Sequence, residues 1–238
     1  MSTIAEKLTT IAENMPKVYE AGKQAEYDAF WDILQDYGNR EIYMGAFAYA
    51  AWTDATFKPK YDIKIVGSGS NVFNGTKIVD LEATLGRCGR KLDTSEANNL
   101  NSAFSSRNLE VIPTIDMRSI TASATSNANL NIQPEMKTIR KIIIDEATPW
   151  HTSCFRYATG LTNLVVEGVI GNTNWNLQYS KNLSKDSIIS AINALSNNTS
   201  GLSIVFSEDA VISAFGSTDA TEWQTLVATK PNWTISLV

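Results

Sequence analysis

The feature that most restricts this chain is an apolar spacing that returns along it. Leu109, Ile112 and Ile115 stand three apart; Met136, Ile139 and Ile142 repeat that spacing, and Leu161 and Leu164, followed by Val165 and Val166, begin it again. The starts lie 27 and 25 residues apart, a period at which each unit is one supersecondary element too small to hide its own apolar side. An earlier copy, Ile78 and Leu81, is offset by a slightly longer insertion. A phenylalanine leads three of the units: Phe73 five residues before Ile78, Phe104 five before Leu109, and Phe155 six before Leu161. With one short strand per unit, the physical solution is to stack units around one shared core. Burial of each Ile or Leu contributes about 1.5–3 kcal/mol, which offsets the ordering cost only when neighbours close the stack.

The spacing therefore predicts an α+β chain: a leucine-rich-repeat-like solenoid of short stacked strands over residues 67–180, with a helical segment before it and an enlarged capping repeat after it. Thr3 and Glu6 have the spacing of a capping box, so a helix is expected from Ile4. Ile4, Leu8, Ile11, Met15 and Val18 then alternate by four and three, the seam of two heptads. Pro16 breaks this helix, and a second runs from Val18 to Tyr37, stopped by Gly38. Residues 1–38 thus read as N-terminal helices for oligomerisation or docking. Residues 39–66 read as an aromatic connector, with Phe47, Trp52 and Phe57, leading into a first strand at Tyr61–Val66, and Gly67 to Ser70 as the turn that ends it.

Residues 181–238 read as the capping repeat that seals the core. Ser184 caps a helix from Ser187 to Ser196, Leu202, Ile204 and Phe206 alternate as a strand, and Ser207 caps a short helix through Phe215. Asp219 and Glu222 repeat the capping-box spacing ahead of Trp223, and Trp233, Ile235 and Leu237 close as a strand.

Composition narrows the function classes. The chain is 43% hydrophobic, and its 20 basic and 25 acidic residues give a net charge of −5 with no basic stripe, which disfavours nucleic acid. Met1 to Lys7 is amphipathic and charged, unlike a secretory signal, and no run of about 18 apolar residues occurs, so neither export by a cleaved leader nor membrane insertion is expected. Cys88 and Cys154 are too few for a disulfide framework and suit a reducing compartment.

Catalytic constellations are hard to assemble. His151 is the sole histidine, so a serine or cysteine nucleophile has one candidate base. It precedes Cys154 by three residues, but a four-ligand zinc site there needs carboxylates to complete it, and the pair reads as a loop histidine and a buried cysteine. Asp145 with Glu146 and Glu208 with Asp209 are adjacent, so on a strand they face opposite ways and at a helix start they serve the dipole. No enzyme, cofactor or metal is expected. Trp150, Tyr157, Trp175 and Tyr179 lie between the predicted strands, where binding side chains gather, with His151 and Arg156 as polar companions. Two readings stand: these residues stack on sugars or fill pockets on a protein partner, or Trp150 and Trp175 close gaps in the core.

The phenylalanine-led units, Asn101-Ser102-Ala103-Phe104 to Leu109-Glu110-Val111-Ile112-Pro113 and Cys154-Phe155 to Leu161-Thr162-Asn163-Leu164, resemble the BspA-like leucine-rich repeats of bacterial surface antigens over residues 70 to 238. The likeness departs between Thr121 and Gln133, where Asn127-Ala128-Asn129-Leu130 replaces Ala-Phe. With the N-terminal helices to Trp31 and the closing Glu222-Trp223 to Ile235, the arrangement looks like proteins encoded among tail and accessory genes of phages and prophages of gut Firmicutes. That resemblance implies a non-catalytic structural or attachment protein, made in the host cytoplasm and carried in the virion. The expected partners are then a protein or cell-surface glycan of a bacterial host, or other virion proteins, while the heptad-like seam of the N-terminal helices points to self-association or docking on the particle. The alternative is an intracellular protein–protein interaction module of a bacterium or prophage.

Overall fold

A computed structural model describes residues 47–120 and 125–238. Among them the order is β1 (Ile63–Ser68), α1 (Leu81–Arg87), β2 (Leu92–Asn99), β3 (Val111–Asp116), β4 (Thr138–Ile144), β5 (Asn163–Gly168) and β6 (Trp175–Leu177). There follow α2 (Lys185–Asn193), β7 (Leu202–Phe206), α3 (Glu208–Phe215), α4 (Thr221–Ala228) and β8 (Trp233–Leu237). The expected N-terminal helices and the seam of Ile4, Leu8, Ile11, Met15 and Val18 lie outside the described residues.

The recurring apolar spacing forms the central sheet, β3-β4-β5, whose strands are parallel. Ile112 pairs with Ile139 and Ile139 with Leu164; further along, Ile115 pairs with Ile142 and Ile142 with Val166. All six are buried in the core, because partners on adjacent strands share a face of the sheet. Gly168 ends β5 with φ at 107°, and a Cβ there would enter the carbonyl of Ile144; a left-handed position this close to a neighbouring backbone admits glycine alone.

The predicted leucine-rich-repeat-like solenoid is overturned by the sheet topology. In place of one column of stacked strands, the described residues form three separate parallel sheets of two, three and three strands, β1-β2, β3-β4-β5 and β6-β7-β8, accompanied by four α-helices. Side-chain hydroxyls interrupt the strand-to-strand bonding. At the β3 edge, Thr94 of β2 accepts the Asp116 amide at 2.7 Å and donates to the Asp116 carbonyl at 2.9 Å. At the β5 edge, Ser187 and Ser190 of α2 take the amides of Leu164 and Val166 at 2.8 and 2.9 Å. The helix expected after Ser184 thus lies along the β5 edge and takes up its free amides.

Other local expectations are corrected as well. Ile78 and Leu81 do not open a strand: Leu81 starts α1, whose cap is Asp80 accepting from the Ala83 amide at 2.8 Å. The strand of this region is β2, a polar segment unlike the apolar copies. The cap of α2 is Ser184, as its sequence predicts. Around α3 and α4, Ser207 sits at the cap without a side-chain bond, and Ala220 takes the place expected of Asp219, so no capping box forms.

The connector aromatics join the core. Phe47 stacks on Phe73 at 5.4 Å, and Phe73 on Phe104 at 5.9 Å; Trp52 and Phe57 are buried beside them. In the irregular unit Leu130 is buried where a phenylalanine was expected, while the Leu100 and Ser102 amides bond the carbonyls of Asn127 and Asn129 at 2.8 and 2.7 Å. The backbone ladder therefore continues through this segment although its apolar residue has changed.

Where β3 ends, Asp116 accepts from the Arg118 side chain at 2.7 and 3.0 Å and from its amide at 3.1 Å. The Arg118 side-chain hydrogen bond holds this carboxyl below its ordinary value, with burial opposing. A depressed folded-state pKa gives stability that is present above the unfolded-state value and lost as pH falls through the folded one. Arg118→Met is therefore expected to lower the urea midpoint at neutral pH, with mutant and parent converging in acid. A constant gap between their midpoints from neutral to acid pH would exclude this linkage.

Candidate functional site

Of the side chains singled out between the strands, Tyr157 and Tyr179 reach solvent, 46% and 41% exposed, whereas Trp150 and Trp175 are 3% and 1% exposed. The two indoles stack at 4.4 Å with planes 20° apart, and Phe155 closes on both at 5.3 and 5.8 Å. Trp175 opens β6, and its pairing with Ile204 carries this aromatic cluster into the third sheet. Both indole nitrogens are buried without a hydrogen-bond partner among the described residues.

The tyrosines occupy equivalent places in two neighbouring turns. In one, the Ala158 amide donates to Phe155 at 3.1 Å, Thr159 to Tyr157 at 2.7 Å and Leu161 to Ala158 at 3.3 Å. In the other, Ser180 donates to Leu177 at 3.0 Å, Lys181 to Tyr179 at 3.1 Å and Leu183 to Ser180 at 3.2 Å. The turns are tied together by Ser180 Oγ donating to the Ala158 carbonyl at 3.1 Å and Asn182 Nδ2 to that of Thr159 at 3.3 Å. The same arrangement joins the Phe104 turn to the one before it, where Ser106 Oγ and Asn108 Nδ2 donate to the Thr76 carbonyl at 2.6 and 2.8 Å.

Sequence reasoning grouped Tyr157 and Tyr179 without seeing this equivalence. The signal was available in the matched residues of Phe155 to Leu161 and Leu177 to Leu183, displaced by 22 positions. Arg156 places its guanidinium 5.6 Å from the centre of the Tyr157 ring, a cation–π distance. The result is a rim of two half-exposed phenols and a cation on turns held by backbone carbonyls. Phenols of this kind offer apolar area and a hydroxyl at low entropic cost, which suits contact with protein or sugar.

The remaining candidates have local roles. His151 accepts the Ser153 amide on Nδ1 at 3.2 Å. Cys154 is fully buried, and burial pushes its thiol up to about 12, a value that leaves almost no thiolate to act as nucleophile or ligand. Asp145 accepts the Ala147 and Thr148 amides and the Thr148 hydroxyl at 3.0, 2.8 and 2.9 Å; Glu146 accepts from Ser196 at 2.5 Å. Glu208 and Asp209 lie in the first turn of α3, and Asp209 pairs with Lys181 at 3.0 Å. A hollow of about 450 Å³ lies among Asp54, Phe57, Lys58, Arg87 and Cys88. The carboxylate it contains, Asp54, accepts from the Val79 and Asp80 amides and the Thr84 hydroxyl at 3.0, 2.9 and 2.7 Å.

Among the described residues no three His, Cys, Asp or Glu side chains gather as a metal-holding group, and no helix is long and apolar enough to cross a membrane. No protein-family model, no curated protein and no solved structure matches the chain.

Proposed function

We propose that this chain is a non-catalytic, phage-associated structural or attachment protein that binds a host or virion component through the rim of Arg156, Tyr157 and Tyr179. The observation that carries the reading is the equivalence of the two tyrosines: half-exposed phenols held at matching places in neighbouring turns, with a guanidinium over one of them. Their exposure is not needed for packing, since the aromatic filling of this region comes from Trp150, Phe155 and Trp175. The occupant is a protein or a cell-surface glycan of a bacterial host, or another virion protein. An intracellular interaction module using the same rim is the second reading, with which the two free cysteines, Cys88 and Cys154, agree.

The test compares the parent with a Tyr157→Ala, Tyr179→Ala double variant for binding to intact bacterial cells and to purified wall glycans. A central aromatic contact contributes about 2 kcal/mol or more, so affinity is expected to fall at least about tenfold, with an unchanged urea midpoint. Equal binding by both proteins would remove the rim from the function. Strong capture of one host protein from lysate, lost in the double variant and with no cell or glycan binding, would select the intracellular reading.

A further inference from the structure

Strand β8 lies at the edge of its sheet, bonded to β7 on one side. The Val238 amide donates to the Phe206 carbonyl at 3.1 Å, and the Glu208 amide to the Val238 carbonyl at 2.9 Å. Peptide groups alternate in direction along a strand. In the register pairing Ile204 with Ile235 and Phe206 with Leu237, residues 234, 236 and 238 therefore turn toward β7, and the N–H and C=O of Ile235 and Leu237 turn outward. Unlike the two edges of the central sheet, filled by Thr94 and by Ser187 and Ser190, this one meets no side-chain hydroxyl among the described residues.

The strand itself also carries none of the side chains that blunt a sheet edge. Trp233-Thr234-Ile235-Ser236-Leu237-Val238 contains no charged side chain and no proline, the residues that usually block strand addition. Ile235 and Leu237 continue the apolar layer of Ile204 and Phe206, yet they stay half-buried while those two are fully buried. Both the outward backbone groups and the half-covered side chains call for one more strand.

We propose that the occupant is β8 of a second copy of this chain, running antiparallel about a two-fold axis at Ser236. Among two-fold registers, this one sets Ile235 opposite Leu237 of the other copy, where each pair exchanges two N–H to C=O bonds and the outward groups satisfy one another. It also lays Ile235 and Leu237 of each copy across from their counterparts on the apolar face, while Ser236 meets Ser236 on the polar one. With no charged side chain on either strand, self-pairing opposes no like-charged side chains, and the surface is self-complementary as a two-fold interface must be. One added strand pair buries less than the roughly 1,600 Å² of a standard interface, so the dimer is concentration-dependent.

The experiment uses the full chain carrying Cys88→Ser, to leave the fully buried Cys154 as the sole native thiol. At an axial non-hydrogen-bonded pair the Cα atoms stand about 4.5 Å apart, within disulfide range. Ser236→Cys is therefore expected to form a covalent dimer under mild oxidant. Thr234→Cys is expected to stay monomeric under the same oxidant, because the two introduced thiols would lie roughly 13 Å apart along the paired strands. By sedimentation at about 0.1 mM the chain is expected to be partly dimeric, and Ser236→Glu, which opposes two carboxylates at the axis on the solvent face, to weaken dimerisation at least about tenfold. A chain that stays monomeric overturns the proposal, whether or not it binds some other extended peptide. So does equal cross-linking by the Thr234→Cys and Ser236→Cys variants, or a dimer indifferent to Ser236→Glu.

Discussion

Trp175→Ala is expected to lower the unfolding free energy by about 3–5 kcal/mol, the cost of emptying a fully packed aromatic site. Trp175 is 1% exposed, lies 4.4 Å from the Trp150 ring and 5.8 Å from the Phe155 ring, and leads a strand only three residues long. The void would open where the β6-β7-β8 sheet meets the turns before β5. Trp175→Phe should be far milder: it keeps an aromatic ring, and the lost indole nitrogen is one that has no hydrogen-bond partner among the described residues. Urea unfolding of the two variants measures the contrast. An alanine effect below about 1 kcal/mol, within the range of ordinary surface changes and small losses, would show that Trp175 is not a core residue.

The second large effect is expected at the edge of the central sheet. Ser187→Ala and Ser190→Ala together remove the hydroxyls that accept the Leu164 and Val166 amides. Each amide left buried and unpaired costs about 1–3 kcal/mol, so the double variant should lose roughly 2–6 kcal/mol. Hydrogen exchange locates the loss: the Leu164 and Val166 amides should lose protection beyond the global change, while the Ile142 amide inside β4 follows it. If both edge amides keep their protection, water or a backbone shift has replaced the hydroxyls, and these serines are not what terminates the sheet.

These serines also show where the sequence was legible and where it was not. The spacing of Ile112, Ile139 and Leu164 was readable because residues paired on one buried face must all be apolar, and that requirement is written locally. What stops the sheet is not local. Ser187 and Ser190 read as polar positions on an amphipathic helix, and nothing around them says that they face the backbone of a strand more than twenty residues earlier. Thr94 was hidden for a related reason, since Leu92–Asn99 is strand by its pairing to β1 and carries only two apolar residues, Leu92 and Ala97; propensity gives way to such context.

The candidate site was legible in part. Sequence placed Tyr157, Tyr179, Trp150 and Trp175 together as residues between strands, and left open whether the tryptophans were surface or core. Deciding that needs the third dimension, because Trp150 and Trp175 reach each other from segments on either side of β5. The pairing of the tyrosines rests on a 22-residue displacement that the longer apolar period masks.

The common direction of β3, β4 and β5 gives the molecule a grain. Chain entering these strands collects at one end of the sheet, and chain leaving them at the other. The turn bearing Tyr157 leads into β5, and Ser180 and Asn182 bind the Tyr179 turn to it; Arg118 and Ala147, by contrast, lie on segments leading out of β3 and β4. A fluorophore or tether fixed at the exposed Ala147 would project from the far end, so the protein could be immobilised or tracked with its phenolic rim left facing outward.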